Sequence, residues 1–189
     1  AESLLSHIQK GAVNWINIDG LHDHKEIMAV GKAFNLSPLV LEDIVNTDQR
    51  PKVIEDDDNL VVFLKQLTYD PSDQTIHDDQ ITLILGKNYV ISFQEETGVF
   101  FNPIRVRMRQ NIGKIRGSKS DYLFYRIIDT IADNYMLCIG AIGELVEENE
   151  TNILKSVNKE IIEDIKDEEE LYEEALIVPT ITKTELIIP

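Results

Sequence analysis

The sequence predicts a mixed α/β (α+β) domain, a mostly antiparallel sheet flanked by helices and followed by a long C-terminal helical region, with no transmembrane segment. Three observations predict it. Runs of β-branched and aromatic residues recur between turn signals over residues 13–93. Two short helical patterns intervene near the start, over residues 23–35 and 37–44. From residue 121 apolar side chains return at alternating steps of four and three. With 189 residues and 43% hydrophobic content there is material for one substantial core. The organisation expected is an α/β domain over residues 1–150 and an acidic helical segment with an extended tail over 151–189.

In Val13-Asn14-Trp15-Ile16-Asn17-Ile18, apolar and polar residues alternate as in a strand with one buried face, and Asp19-Gly20 closes it. Asp23 offers an N-cap to a helix that places Ile27, Val30, Ala33 and Phe34 on one side. Ser37-Pro38 opens a second helix, Ser as cap and Pro pre-set for the first turn. Gln49-Arg50-Pro51 breaks it. Strands follow from residue 52 and over 60–69, 76–85 and 89–93, separated by Asp56-Asp57-Asp58-Asn59, Asp70-Pro71-Ser72-Asp73 and Gly86-Lys87-Asn88, which makes an antiparallel meander. Residues 99–112 read as a helix and 113–120 as a basic loop. The long helix then carries Phe124, Ile128, Ile131, Tyr135, Cys138, Ile142 and Leu145 along a coiled-coil-like seam. Residues 152–172 read as an exposed acidic helix, and 178–182 as extended.

The net charge of -16 repels phosphate backbones and anionic lipid heads and attracts cations, so nucleic acid is excluded as a partner class. The plainer account, that the charge only maintains solubility, stands beside this. A lone Cys138 permits no disulfide within the chain and suits a reducing compartment. No run approaches the ~20 apolar residues that span a bilayer, so any membrane role belongs to sequence outside this chain. The start at Ala1 and the lack of a secretory signal lead to the expectation that the chain is a fragment.

Glu42 and Asp43 are adjacent carboxylates on the short second helix, about 100° apart around its axis. One of them therefore borders a packed surface, unless both are solvated. Asp129 and Asp133 lie four apart on one helix face, where like charges repel unless a proton, a basic side chain such as Arg126 or a cation answers them. All-oxygen donors of this kind suit hard cations such as Mg²⁺ or Ca²⁺. His22-Asp23-His24 and His77-Asp78-Asp79 sit in turns without the Cys or helical His spacing of a transition-metal site. Arg105, Arg107, Arg109, Lys114, Arg116 and Lys119 form a basic stretch that reads first as a solvated face. No phosphate loop, nucleophile elbow or Cys/His dyad is present, so the chain is not read as an enzyme.

Trp15-Ile16-Asn17-Ile18, Ser37-Pro38-Leu39-Val40-Leu41-Glu42-Asp43-Ile44, Gln49-Arg50-Pro51-Lys52-Val53, Lys87-Asn88-Tyr89-Val90-Ile91-Ser92-Phe93-Gln94-Glu95, Ile115-Arg116 and Asp121-Tyr122-Leu123 onward to Asp129 occur in this order over residues 13–150. Together they resemble the CorA family of divalent-cation channels. The resemblance implies the cytoplasmic domain of a homopentameric Mg²⁺ (or Co²⁺ or Ni²⁺) transporter of the cell membrane, in which cations bound between protomers hold the pore closed. It implies Glu42, Asp43 and Asp129 as metal ligands, for Mg²⁺ or for Co²⁺ or Ca²⁺ at the same carboxylates. The family's further ligand, an Asp on the neighbouring stalk helix, is not located in this sequence. The family's membrane helices and Gly-Met-Asn signature are also missing, and residues 152–189 match no segment of it. Transport by this chain alone is therefore not expected. Two alternatives stand beside this reading: an assembly module without metal sensing, and the zinc-transporting branch of the same family.

Overall fold

A computed structural model describes residues 6–155. Strands β1 (Asn14–Asp19), β2 (Lys52–Asp56), β3 (Asn59–Asp70), β4 (Thr75–Gly86) and β5 (Tyr89–Gln94) form one sheet in the order β1-β5-β4-β3-β2. The helices are α1 (His24–Ala33), α2 (Pro38–Val45), α3 (Asn102–Arg109) and α4 (Ser120–Lys155). The described residues fall into two units, 6–67 with 78–133, and 68–77 with 134–155. The predicted acidic helix and tail lie almost wholly outside the described residues.

The meander is antiparallel, with Lys52 opposite Phe63 in β2–β3 and Ile84 opposite Ile91 in β4–β5. β1 makes the sheet mixed: it runs parallel to β5, pairing Asn14 with Tyr89 and Asp19 with Gln94. Ser92 fixes this junction by accepting from Trp15 Nε1 at 2.9 Å and donating to Asn17 Oδ1 at 2.6 Å.

In the larger unit, Ile27 and Val30 of α1, Leu36 of the connection, and Val40, Leu41 and Ile44 of α2 form one buried cluster with Ile16, Ile18, Val61, Phe63, Ile84, Ile91 and Phe93 of the sheet. Successive strand residues point to opposite faces, yet Val62, Leu64, Leu83 and Val90 are buried as well. Both faces of the central strands are thus covered, which explains why β3 and β5 read as continuous apolar runs rather than alternations. On the face opposite α1 and α2, Trp15 meets Phe101 edge-on at 5.7 Å, just before α3.

Local chemistry ends each helix. The Asp23 side chain accepts from Lys25 and Glu26 amides. The helix α1 stops short of the predicted residue 35, because Asn35 takes φ 54° and the Leu36 N–H closes onto Gly31 O at 2.9 Å. Gly31 also leaves the space that Leu41 of α2 fills, since a Cβ there would lie 2.5 Å from Leu41 Cδ2. Ser37 Oγ accepts from the Val40 amide at 3.3 Å, and Asp56 Oδ2 accepts from the Ser37 amide at 3.0 Å. Ser37→Ala is expected to lower unfolding free energy by about 1 kcal/mol, measured as a shift of the urea midpoint at unchanged slope.

The third helix is shorter than the predicted 99–112. Pro103 sits in its first turn, and at the other end Asn111 turns left-handed at φ 53° while Ile112 N–H bonds back to Arg107 O at 2.9 Å. The long helix begins where Ser120 Oγ donates to Gly86 O and Lys87 O, anchoring it to the β4–β5 turn. Its buried apolar residues in the larger unit are Leu123, Phe124, Ile127 and Ile131. Within the smaller unit Cys138, Ile142 and Leu145 are buried. Burial pushes the Cys138 thiol up, partly offset by a hydrogen bond with the Tyr69 backbone.

Candidate metal centre

The apolar spacing of α2 turns Val40, Leu41 and Ile44 into the core, so its two acidic residues fall on different sides. Glu42 is exposed. Asp43 borders the packed surface: its side chain is 16% exposed and its Oδ1 lies 2.7 Å from Lys52 Nζ on β2. Lys52 in turn lies 5.1 Å from the centre of the Phe63 ring. The end of α2 is held from outside the helix. Gln80 Nε2 donates to Ile44 O at 3.1 Å and to Asp43 O at 3.3 Å. Gln49 Nε2 donates to the same Asp43 carbonyl.

Asp129 lies on the first part of α4, with Oδ2 2.5 Å from Arg126 Nη1 and Oδ1 accepting from Tyr125 OH at 3.4 Å. The two ion-paired side chains are 27% and 30% exposed. Pairs this open to solvent contribute about 0.3–0.5 kcal/mol, so Arg126 neutralises Asp129 without locking it. Asp133 is exposed. The repulsion foreseen between Asp129 and Asp133 is thus relieved through Arg126. Each half-buried carboxylate therefore has one basic neighbour.

Glu42, Asp43 and Asp129 do not form a metal cage within one chain. Among the described residues the one set of three or more His, Cys, Asp or Glu whose ligand atoms converge is Asp70, Asp73 and His77, in the smaller unit, with those atoms within 4.8 Å of one another. Sequence reasoning placed His77 with Asp78 and Asp79 instead. Asp78 pairs with Lys65 at 2.7 Å. The overlooked signal was an Asp-x-x-Asp-x-x-x-His run across the β3–β4 turn. Both Asp residues serve that turn: Asp70 Oδ1 accepts from the Ser72 hydroxyl and amide, and Asp73 Oδ1 from those of Thr75. The Ser72 hydrogen bonds hold the Asp70 carboxyl below the usual carboxylate range, with a smaller effect from His77. At the other His-rich spot, Asp23 is occupied as the cap of α1.

A mixed sheet with a long helix, carrying half-buried carboxylates on two helices, defines an α/β domain able to present oxygen ligands to a hard cation. Residues 10–174 match the family model described as "CorA-like Mg2+ transporter protein", and the chain belongs to that family. The match runs to residue 174, which corrects the expectation that residues 152–189 match no segment of the family. The chain is 39% identical over 162 residues to the cobalt/magnesium transport protein CorA of Thermotoga maritima, covering 86% of this chain and 46% of that protein. It thus spans about half the length of that relative. In fold it resembles the soluble domain of CorA from Methanocaldococcus jannaschii, with TM-score 0.64 at 19% identity, covering 80% of this chain and 59% of the other. It also resembles the ZntB cytoplasmic domain from Vibrio parahaemolyticus, with TM-score 0.61 at 20% identity, covering 90% and 64%. Among the described residues no helix is long and apolar enough to cross a membrane.

Proposed function

We propose that this chain is the cytoplasmic cation-sensing domain of a CorA-family divalent-cation transporter, with Glu42, Asp43 and Asp129 contributing Mg²⁺ ligands across a subunit boundary. Family membership supports the transporter class. One observation carries the site: Asp43 and Asp129 stand half-buried, each against a single basic side chain, Lys52 or Arg126. A dication brought against them by a second protomer offers more charge than either ammonium or guanidinium and competes for the same oxygens. Bound Mg²⁺ then stabilises the closed assembly by its greater affinity for it, and loss of the ion lets the acidic faces separate. The whole protein is a homo-oligomer, a pentamer, whose membrane segments form the pore. Co²⁺ and Ca²⁺ suit the same carboxylates.

Calorimetry tests the site. The natural chain is expected to bind Mg²⁺ with a dissociation constant on the order of 1 mM, as suits few carboxylates and retained waters. The Asp43→Ala/Asp129→Ala double variant should bind at least tenfold more weakly, and equal binding discards the assignment. A second reading, an assembly module without sensing, is favoured by Met136 and Leu137, apolar side chains of α4 that are 67% and 71% exposed. Mass in solution separates the two: assembly that needs Mg²⁺ and is lost in EDTA supports sensing, whereas the same mass in both supports the module. The fold likeness to the ZntB domain keeps the zinc branch as an alternative, which the same titration with Zn²⁺ addresses.

A further inference from the structure

The basic stretch that begins on α3 is only partly used by the fold. Residues 105–119 hold six of the chain's 18 basic side chains and no acidic one. Arg105 serves the fold: its guanidinium lies 5.8 Å from the centre of the Trp15 ring, and its Nη2 lies 3.9 Å from Asp19 Oδ2. Those contacts hold α3 beside β1, at one edge of the sheet. Arg107 and Arg109 are exposed and make no ion pair among the described residues, and Val106 stands between Arg105 and Arg107 at 43% exposure. In a chain of net charge -16, such a strip of one sign is the place where an anionic surface gains most.

The opposite edge of the sheet has the complementary character. It is β2, which runs through Glu55 and Asp56 into a turn at Asp57 and Asp58, with no Lys or Arg between Lys52 and Lys65. Asp56 and Asp57 serve the fold, accepting from the Ser37 amide and from Asn35 Nδ2. Glu55 and Asp58 are exposed and make no ion pair among the described residues. Strand alternation turns Glu55 to the same face as Val53, which is 57% exposed, and away from Ile54, which packs on the core. Each patch thus sets an exposed Val beside charges of one sign. Four inter-strand spacings separate β1 from β2, about 19 Å, which is further than an Arg side chain of α3 reaches. No ion pair joins the two patches within the chain.

We infer that the basic strip of α3 is a docking surface for a second copy of this chain, which presents the carboxylates of its β2–β3 turn. The contact is heterologous, strip against turn, so one copy meets a neighbour at each edge of its sheet. Exposed ion pairs contribute little singly, so the charges chiefly set the orientation of neighbouring copies and their rate of encounter. The inference rests on the oligomeric reading above for the identity of the partner, and it adds which surfaces meet.

The test uses the chain carrying Asp43→Ala and Asp129→Ala in EDTA, so that its failure leaves the metal-site reading standing. At about 0.01 M NaCl, where charges act over about 30 Å, sedimentation equilibrium is expected to show self-association. At about 1 M, where that range is about 3 Å, the association should weaken by about tenfold or more. Arg107→Glu/Arg109→Glu in one chain and Glu55→Lys/Asp58→Lys in another should each lower the low-salt association by about tenfold. An equimolar mixture of the two should recover the parent's association, because each reversed patch then meets its complement. All four positions are exposed, and NMR signal dispersion checks that each variant is folded. Four outcomes overturn the inference: a parent that stays monomeric at low salt, association indifferent to salt, a mixture of folded variants that fails to recover, or reversal of the turn without effect. In the last case the strip takes some other acidic surface.

Discussion

Phe93→Ala is expected to remove about 3–5 kcal/mol of unfolding free energy, the range for deleting a fully buried aromatic ring. Phe93 has 0% exposure and sits on β5, between Ile18 of β1 and Thr82 of β4, in the cluster that also receives Ile44 and Val40 from α2. Truncation there empties the place where sheet and helices meet, and a rigid sheet collapses little into the space. Since whole domains are stable by about 5–15 kcal/mol, such a loss approaches the threshold of folding. Urea titration measures it. A loss under about 1 kcal/mol, at unchanged slope, would show that the side chain is not packed as described.

Gln80→Leu is expected to cost about 2–4 kcal/mol, although Leu is of similar size and more apolar. The Gln80 side chain is 1% exposed and its amide donates to the carbonyls of Asp43 and Ile44 at the end of α2. Without it, Ile44 O loses the donor described here while remaining buried, and Gln49 Nε2 loses Gln80 Oε1 as an acceptor at 3.2 Å. A helix of eight residues has little propensity of its own to hold it in place. At the proposed site, Mg²⁺ affinity should fall along with stability, because Asp43 is carried on the loosened segment. Urea titration and calorimetry on the same sample check both effects. Unchanged stability would mean that the carbonyls of α2 find other donors.

The strands of the meander were legible because turn residues separate them and β-branched residues fill them. The second helix was legible because Ser37-Pro38 announces its start. What sequence did not disclose was the pairing of β1 with β5, which depends on contacts between segments more than seventy residues apart. Along α4 the seam is legible at Phe124, Ile131, Cys138, Ile142 and Leu145, all of them buried. Ile127, at 0% exposure, takes the core place that the spacing assigns to Ile128. Both ends of α3 were overextended, since Asn111 gives no sign in composition that it will turn left-handed. At the candidate centre, the divergence of Glu42 and Asp43 followed from helix geometry, and Arg126 was foreseen as an answer to Asp129. Lys52 as the partner of Asp43 was not, because it comes from a strand brought alongside α2 only by the fold.

The parallel edge of the sheet has a consequence for biosynthesis. Asn14 leaves the ribosome long before Tyr89, its neighbour in the ladder. At about 5–20 residues per second, some 4–15 s pass during which the first strand has no template. Through that interval Trp15 and Ile16 are exposed apolar groups on a nascent chain. The N-terminal strand is thus the last piece of the sheet to be seated, and it is the stretch at which a translation pause before residue 89 would leave the polypeptide open to chaperone capture.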